Sequence, residues 1–182
     1  MKTMQKFSFI ISLILFLLPC KGFSQKAETI DTTKNKLMTV AREIMIEARS
    51  CALITLDEEG RPRVRTMDPF VPENDLTVWF GTNSKSRKVK QIKNDQRVTL
   101  YYLDSDASGY VMISGIAQLV DDQMEKDKRW KEEWEAFYPN NRKDYLLIKV
   151  SPEWMEISSI NRGIVSDTIT WQPPNVIFKT KQ

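Results

Sequence analysis

Leu76-Thr77-Val78-Trp79-Phe80-Gly81, continued by Thr82-Asn83-Ser84-Lys85-Ser86-Arg87-Lys88 and then Val89-Lys90-Gln91-Ile92, is the stretch on which the reading of this chain turns. In its first part Leu76, Val78 and Phe80 alternate with Thr77, Trp79 and Gly81, the period of a β-strand. In its last part Val89 and Ile92 stand at the i, i+3 spacing of one helix face. The order is therefore strand, polar turn, first turn of a helix. Such a helix start carries unpaired backbone N–H groups and the positive end of the helix dipole, and both favour an anion. Ser86 adds a hydroxyl, and residues 85–93 hold Lys85, Arg87, Lys88, Lys90 and Lys93 with no acid. That set suits a phosphate-bearing ligand. It equally suits a solvated basic helix face, and spacing alone leaves both readings standing.

At the N-terminus Lys2 and Lys6 precede an apolar run over residues 7–18, and Gly22-Phe23-Ser24 offers a small-x-small cleavage site before Gln25. This is the pattern of a secretory signal peptide over residues 1–24, with a run too short to span a bilayer comfortably. The expectation is an exported protein, periplasmic or secreted, with no stable membrane span after cleavage. A lipoprotein through Cys20 is the less favoured form, because Pro19 departs from the small residue such signals use. There is no twin arginine, so export would be of an unfolded chain. The 27 Lys and Arg of the full chain exceed its 24 Asp and Glu only through Lys2, Lys6 and Lys21, so the mature chain is balanced. That argues against a nucleic-acid partner. Cys51 is then the one remaining cysteine, set in the apolar run Cys51-Ala52-Leu53-Ile54, which fits a buried inert thiol. The chain has no histidine, which removes Ser-His and Cys-His relays and the commonest metal ligand.

Residues 25–35 are polar and read as a loose leader, and residues 36–182 as a single domain. From 36 to 49, Leu37, Val40, Ala41, Ile44, Met45 and Ala48 recur at helical spacing. Strands are expected at 51–56, 61–71, 76–81, 97–103, 110–120, 145–150 and 153–158, with a helix from about residue 88 to 94. Residues 121–137 read as a charged helix with Met124, Trp130, Trp134 and Phe137 as its inner stripe, and residues 175–178 follow a turn at Trp171-Gln172-Pro173-Pro174. Many antiparallel strands with few helices imply a mainly β fold, a β-barrel with added helices. In the second strand Arg61, Arg63 and Arg65 alternate with Pro62, Val64 and Thr66, placing three guanidiniums on one face of the pleat. Facing the cationic helix start they would form a phosphate clamp; alone they would blunt an edge strand.

Gly60-Arg61-Pro62-Arg63-Val64-Arg65, then Thr82 to Lys88, Gln91-Ile92, Asn94, Arg97-Val98 and Tyr110-Val111-Met112-Ile113-Ser114-Gly115 resemble the pyridoxamine 5′-phosphate oxidase family of FMN-binding split barrels, over residues 36–158. The small stress-protein-like members are the nearer likeness. The resemblance implies a homodimer with flavin in the cleft between subunits. It implies that Arg65, Ser86 and Arg87 hold the FMN phosphate, that Thr82 and Lys88 contact the ring and ribityl chain, and that the backbone at Thr66 and Met67 runs beside the isoalloxazine. Tyr110 stands where the oxidase has a flavin-contacting glutamine, and Gly81 where it has an aromatic. Phe70 replaces the lysine that holds the substrate phosphate, and the C-terminal arginine–histidine pair is missing. The cofactor side is thus kept and the vitamin B6 substrate side lost. The resemblance implies an FMN-dependent oxidoreductase or flavin reductase acting on a small molecule, with a deazaflavin coenzyme as the lesser alternative to FMN. The alternative in a different class is an exported, non-enzymatic binder of flavin or another phosphorylated ligand.

Overall fold

The computed structural model describes residues 22–138 and 142–179; the signal-peptide expectation falls almost wholly on residues outside these. The chain opens with helix α1 (Gly22–Ala48). Residues 25–35 are therefore helical rather than a loose leader. No Gly or Pro lies between Gly22 and Ala48, and Gln25, Lys26, Ala27, Lys34 and Lys36 are good helix formers, so nothing in this stretch stops the helix. It ends where Arg49 turns left-handed at φ 58°. Leu37, Ala41, Ile44 and Met45 form its buried stripe, laid against the sheet core.

The sheet consists of β1 (Cys51–Leu56), β2 (Pro62–Met67), β3 (Val78–Asn83), β4 (Arg97–Leu103), β5 (Gly109–Val120), β6 (Tyr145–Ser159) and β7 (Asn175–Ile177), with α2 (Arg87–Asn94) between β3 and β4 and α3 (Gln123–Lys128) after β5. All pairings are antiparallel, in the order β2-β1-β4-β5-β6-β3 with β7 beside β6. The sheet curls without closing. One bridge, Pro69 to Phe80, carries the chain beyond β2 back against β3, and Phe70 N–H donates to the Trp79 carbonyl at 2.9 Å. The split between β2 and β3 is the mouth over which α2 begins.

Alternation fills the inside. Leu53, Leu100, Ile113, Met155 and Val176 lie across the sheet in register and are all buried, with Phe80, Ile148 and Val150 completing the wall. Burying a side chain of this size stabilises the fold by about 1.5–3 kcal/mol.

Three expectations are corrected. Residues 145–158 form one strand, not two. Pro152 is accommodated because the register shifts at Gly115, where a Cβ would collide with the Ser151 carbonyl, so the proline sits at a bulge. The helix expected over 121–137 breaks into α3 and a 3-10 segment (Glu132–Phe137). With the period changed, Trp130 and Trp134 pack inward while Met124 and Phe137 stay exposed. Leu76 is not in a strand: it takes φ 63° in the turn before β3, its buried side chain anchoring that turn.

Candidate functional site

Two strands and a helix start build the site. On β2, at the open edge of the sheet, Arg65 turns inward while Val64 and Thr66 face out. Its guanidinium donates from Nη1 to Thr55 Oγ1 at 2.8 Å and to the Leu53 carbonyl at 3.1 Å, and from Nη2 to Gln91 Oε1 at 2.9 Å. Thr55 Oγ1 donates in turn to Gln91 Oε1 at 2.7 Å. Thr55 and Gln91 are buried polar groups in an otherwise apolar wall, and this network both satisfies them and fixes the direction of Arg65.

At the end of β3 the buried Thr82 hydroxyl is a hub: Lys88 Nζ donates to it at 3.1 Å, and Ser86 Oγ lies 3.2 Å away. Ser86 is the N-cap residue of α2, yet its hydroxyl makes no capping bond. The first-turn N–H groups of Arg87 and Lys88 are thus left without intrahelical partners at the positive end of the dipole.

The charges select among themselves. Lys85 pairs with Asp144 at 3.0 Å, and Lys90 pairs with Glu58. Arg61 and Arg63 both engage Asp57, at 3.1 and 2.7 Å, so the clamp of three arginines reduces to Arg65 alone. Among the described residues no carboxylate forms an ion pair with Arg65, Arg87 or Lys88. Burial, and then the nearby Arg87, lower the pKa of Arg65; burial, and then Arg65, lower that of Lys88. Three cations repelling one another in a partly desolvated mouth, beside an uncapped helix, have the charge and the donors that suit a multiply charged oxyanion such as a phosphate.

Of the expected residues, Arg65, Thr82, Ser86, Arg87 and Lys88 come together here. Thr66 and Met67 lie next along β2, pairing with Ala52 and Cys51 on one side and leaving the other edge of β2 open; Met67 itself is buried in the core. Tyr110 is not brought to this cluster. It stands three strands away on the outer face, donating to Glu156 Oε1 at 2.7 Å and stacked on Tyr101 at 5.4 Å between centroids. Thr55 and Gln91 were not foreseen as site residues. Their signal was a polar residue at an inward position of an apolar strand, and another on the inner helix face beside Ile92.

Residues 33–166 match the family described as pyridoxamine 5′-phosphate oxidase like. No curated protein matches the chain. Among solved structures, a Clostridium acetobutylicum protein related to general stress protein 26 is 21% identical, with 80% of this chain and 96% of that one covered and a TM-score of 0.63. General stress protein 26 of Bacillus anthracis is 20% identical, with 78% and 98% covered and a TM-score of 0.62. A pyridoxamine 5′-phosphate oxidase-related, FMN-binding protein of Nostoc punctiforme is 14% identical, with 90% and 98% covered and a TM-score of 0.54. These likenesses establish the fold as that of the split barrels.

Proposed function

We propose that this chain, which belongs to the pyridoxamine 5′-phosphate oxidase-like family, is an exported homodimeric flavoprotein that holds FMN by its phosphate and acts as an oxidoreductase or flavin reductase on a small molecule. The observation that carries the reading is the cluster of Arg65, Arg87 and Lys88, which lacks any carboxylate partner among the described residues and surrounds an uncapped helix start. FMN, when bound, supplies hydride and one-electron chemistry. The chain's own part is to bind and orient. Arg65, held by Thr55 and Gln91, would hold the phosphate with its remaining donors, together with Ser86 and the first-turn N–H groups of α2; Lys88 and Thr82 would hold the ribityl chain and ring, and the open edge of β2 at Thr66 and Met67 would border the ring. Calorimetric titration with FMN and with riboflavin, which lacks the phosphate, tests this. Two charge-assisted contacts of about 1.5 kcal/mol each predict FMN tighter by about a hundredfold, and equal affinities would overturn the assignment.

The second copy is argued from the outer face of the sheet. Val64, Ile54, Thr99, Ser114, Trp154 and Ile177 lie across six strands in register, and Ala52, Tyr101 and Met112 form the next row. A one-sided antiparallel sheet normally shows polar residues to water, whereas here Val64, Ile54, Trp154, Ile177, Ala52, Tyr101 and Met112 interrupt the polar Thr66, Thr99, Ser114 and Glu156 with apolar surface. Six strands about 4.8 Å apart and three or four alternate positions about 6.8 Å apart spread on the order of 600 Å² of flat sheet, close to the roughly 800 Å² per partner of a stable interface. Tyr110 lies on this face, so in such a dimer its contact with flavin would be made across the interface.

A second reading, a non-enzymatic binder of flavin or another phosphorylated ligand, draws support from the absence of histidine and the buried, inert state of Cys51. Turnover of the FMN-loaded dimer with a reductant and an electron acceptor separates the two readings.

A further inference from the structure

Gly81 interrupts an apolar strand, and a Cβ there would run into the six-membered ring of Trp134 and come within 2.8 Å of Tyr145 Cε2. The glycine is therefore a seat for Trp134, which arrives from the 3-10 segment. That ring is held by Phe70, Trp130 and Tyr145, with centroids 5.7, 6.2 and 5.9 Å away. Beside it opens a cleft of about 430 Å³ lined by Asp68, Gly81, Asn83, Trp134, Phe137 and Tyr138. Three of these six are aromatic, and Phe137 stands 73% exposed, with no ring stacked on it among the described residues.

The charge at this cleft is already cancelled. Lys131 Nζ lies 2.6 Å from Asp68 Oδ2 and packs over Phe70 and Trp134, at 5.3 and 5.2 Å from their centroids. Among the described residues that line the cleft, Asp68 is the one charged group, and it is paired with Lys131. A volume in the range of small-molecule sites, aromatic walls and no net charge select a neutral flat molecule over an ionic one.

We infer that this cleft binds a neutral, planar, two-ring aromatic molecule against Trp134 and Phe137. The molecule would serve as the small-molecule partner of the flavin, and only that second statement rests on the reading above. The placement suits it, since Asp68 and Asn83 directly follow Met67 and Thr82 in sequence.

The test is calorimetry on the full mature chain, without reductant, using 2-methyl-1,4-naphthoquinone as the neutral probe and pyridoxal 5′-phosphate as the charged one. The expected result has three parts: the naphthoquinone binds more tightly than pyridoxal 5′-phosphate; Phe137→Ser, a change at an exposed rim position, weakens it at least tenfold; and Met124→Ser, equally exposed but on α3 outside the cleft, leaves it unchanged. No binding to the wild-type chain, preference for the phosphorylated ring, or the same effect from both variants would overturn the inference. FMN affinity measured on the same proteins keeps the two ideas apart. FMN binding with no naphthoquinone site sinks only the cleft, and naphthoquinone binding without an FMN site sinks only the phosphate reading.

Discussion

Replacing Arg87 by alanine tests the phosphate cluster most directly, because the structure supplies its control. Arg87 has no carboxylate partner among the described residues and lies close enough to Arg65 to lower its pKa, whereas Lys90, three residues on, is paired with Glu58. Losing one charge-assisted fork costs about 1.5–3 kcal/mol of binding, which weakens FMN by roughly ten- to 150-fold. Lys90→Ala removes the same charge from the same helix but leaves the cluster intact, so its effect should stay within about threefold. The unliganded protein should respond in the opposite sense. Arg87 is exposed and its charge opposes Arg65, so the alanine variant should melt at the same temperature as the parent or slightly above it. Flavin fluorescence quenching at two ionic strengths, paired with thermal unfolding of the apoprotein, reads both effects. Diffuse attraction to a basic surface would weaken both variants alike and in a salt-dependent way, and a solvated face would leave both unchanged. Either outcome refutes the site.

The outer face predicts that Val64→Glu, at a position 66% exposed in the protomer and so harmless to the core, yields a folded monomer by sedimentation velocity; a dimer unchanged by it would remove the proposed interface. Burial pushes the Cys51 thiol up to about 12, so iodoacetamide should leave it unmodified at pH 8 in the native protein and label it fully after denaturation, as read by intact mass. The Lys88 ammonium, its pKa lowered in the folded state by burial and then by Arg65, binds fewer protons than in the unfolded chain over the window between that lowered value and the ordinary lysine value of 10.5. Stability from this group therefore rises with pH there, so apoprotein melting curves should show a gain that Lys88→Met lacks and that bound phosphate suppresses.

Much of the fold was legible because its signals are local. The short apolar runs Cys51-Ala52-Leu53-Ile54 and Val78-Trp79-Phe80, and the polar break before Val89, mark strands and a helix start whatever lies around them. What stayed hidden depends on partners distant in sequence. Pro152 reads as a strand end until Gly115 is seen to give it a bulge, and the charged run at 121–137 reads as one helix until the aromatic cluster around Tyr145 draws Trp130 and Trp134 inward. The site divides in the same way. The cations of residues 85–93 are indistinguishable in sequence, and only folding shows that Asp144, 59 residues from Lys85, and Glu58 neutralise two of them.

The positions that break the local rules gather at one place. An N-cap serine that does not cap, three cations with no acid partner among the described residues, and a Thr55–Gln91 pair set into an apolar wall each cost the unliganded fold something, and they are linked through Arg65, Lys88 and Thr82. Scattered, such departures would signify little; together they describe a mouth whose donors are already aimed and whose repulsion an anion relieves. The energetic scale is adequate. A ligand present at a hundredfold its dissociation constant returns about 2.7 kcal/mol to the folded state, comparable with the cost of desolvating a few imperfectly paired polar groups. The repulsion among these cations therefore predicts that Arg87→Ala leaves the apoprotein as stable as the parent or slightly more so while weakening FMN, whereas loss of Arg65 should lower both, because Thr55 and Gln91 lose the donor that satisfies them.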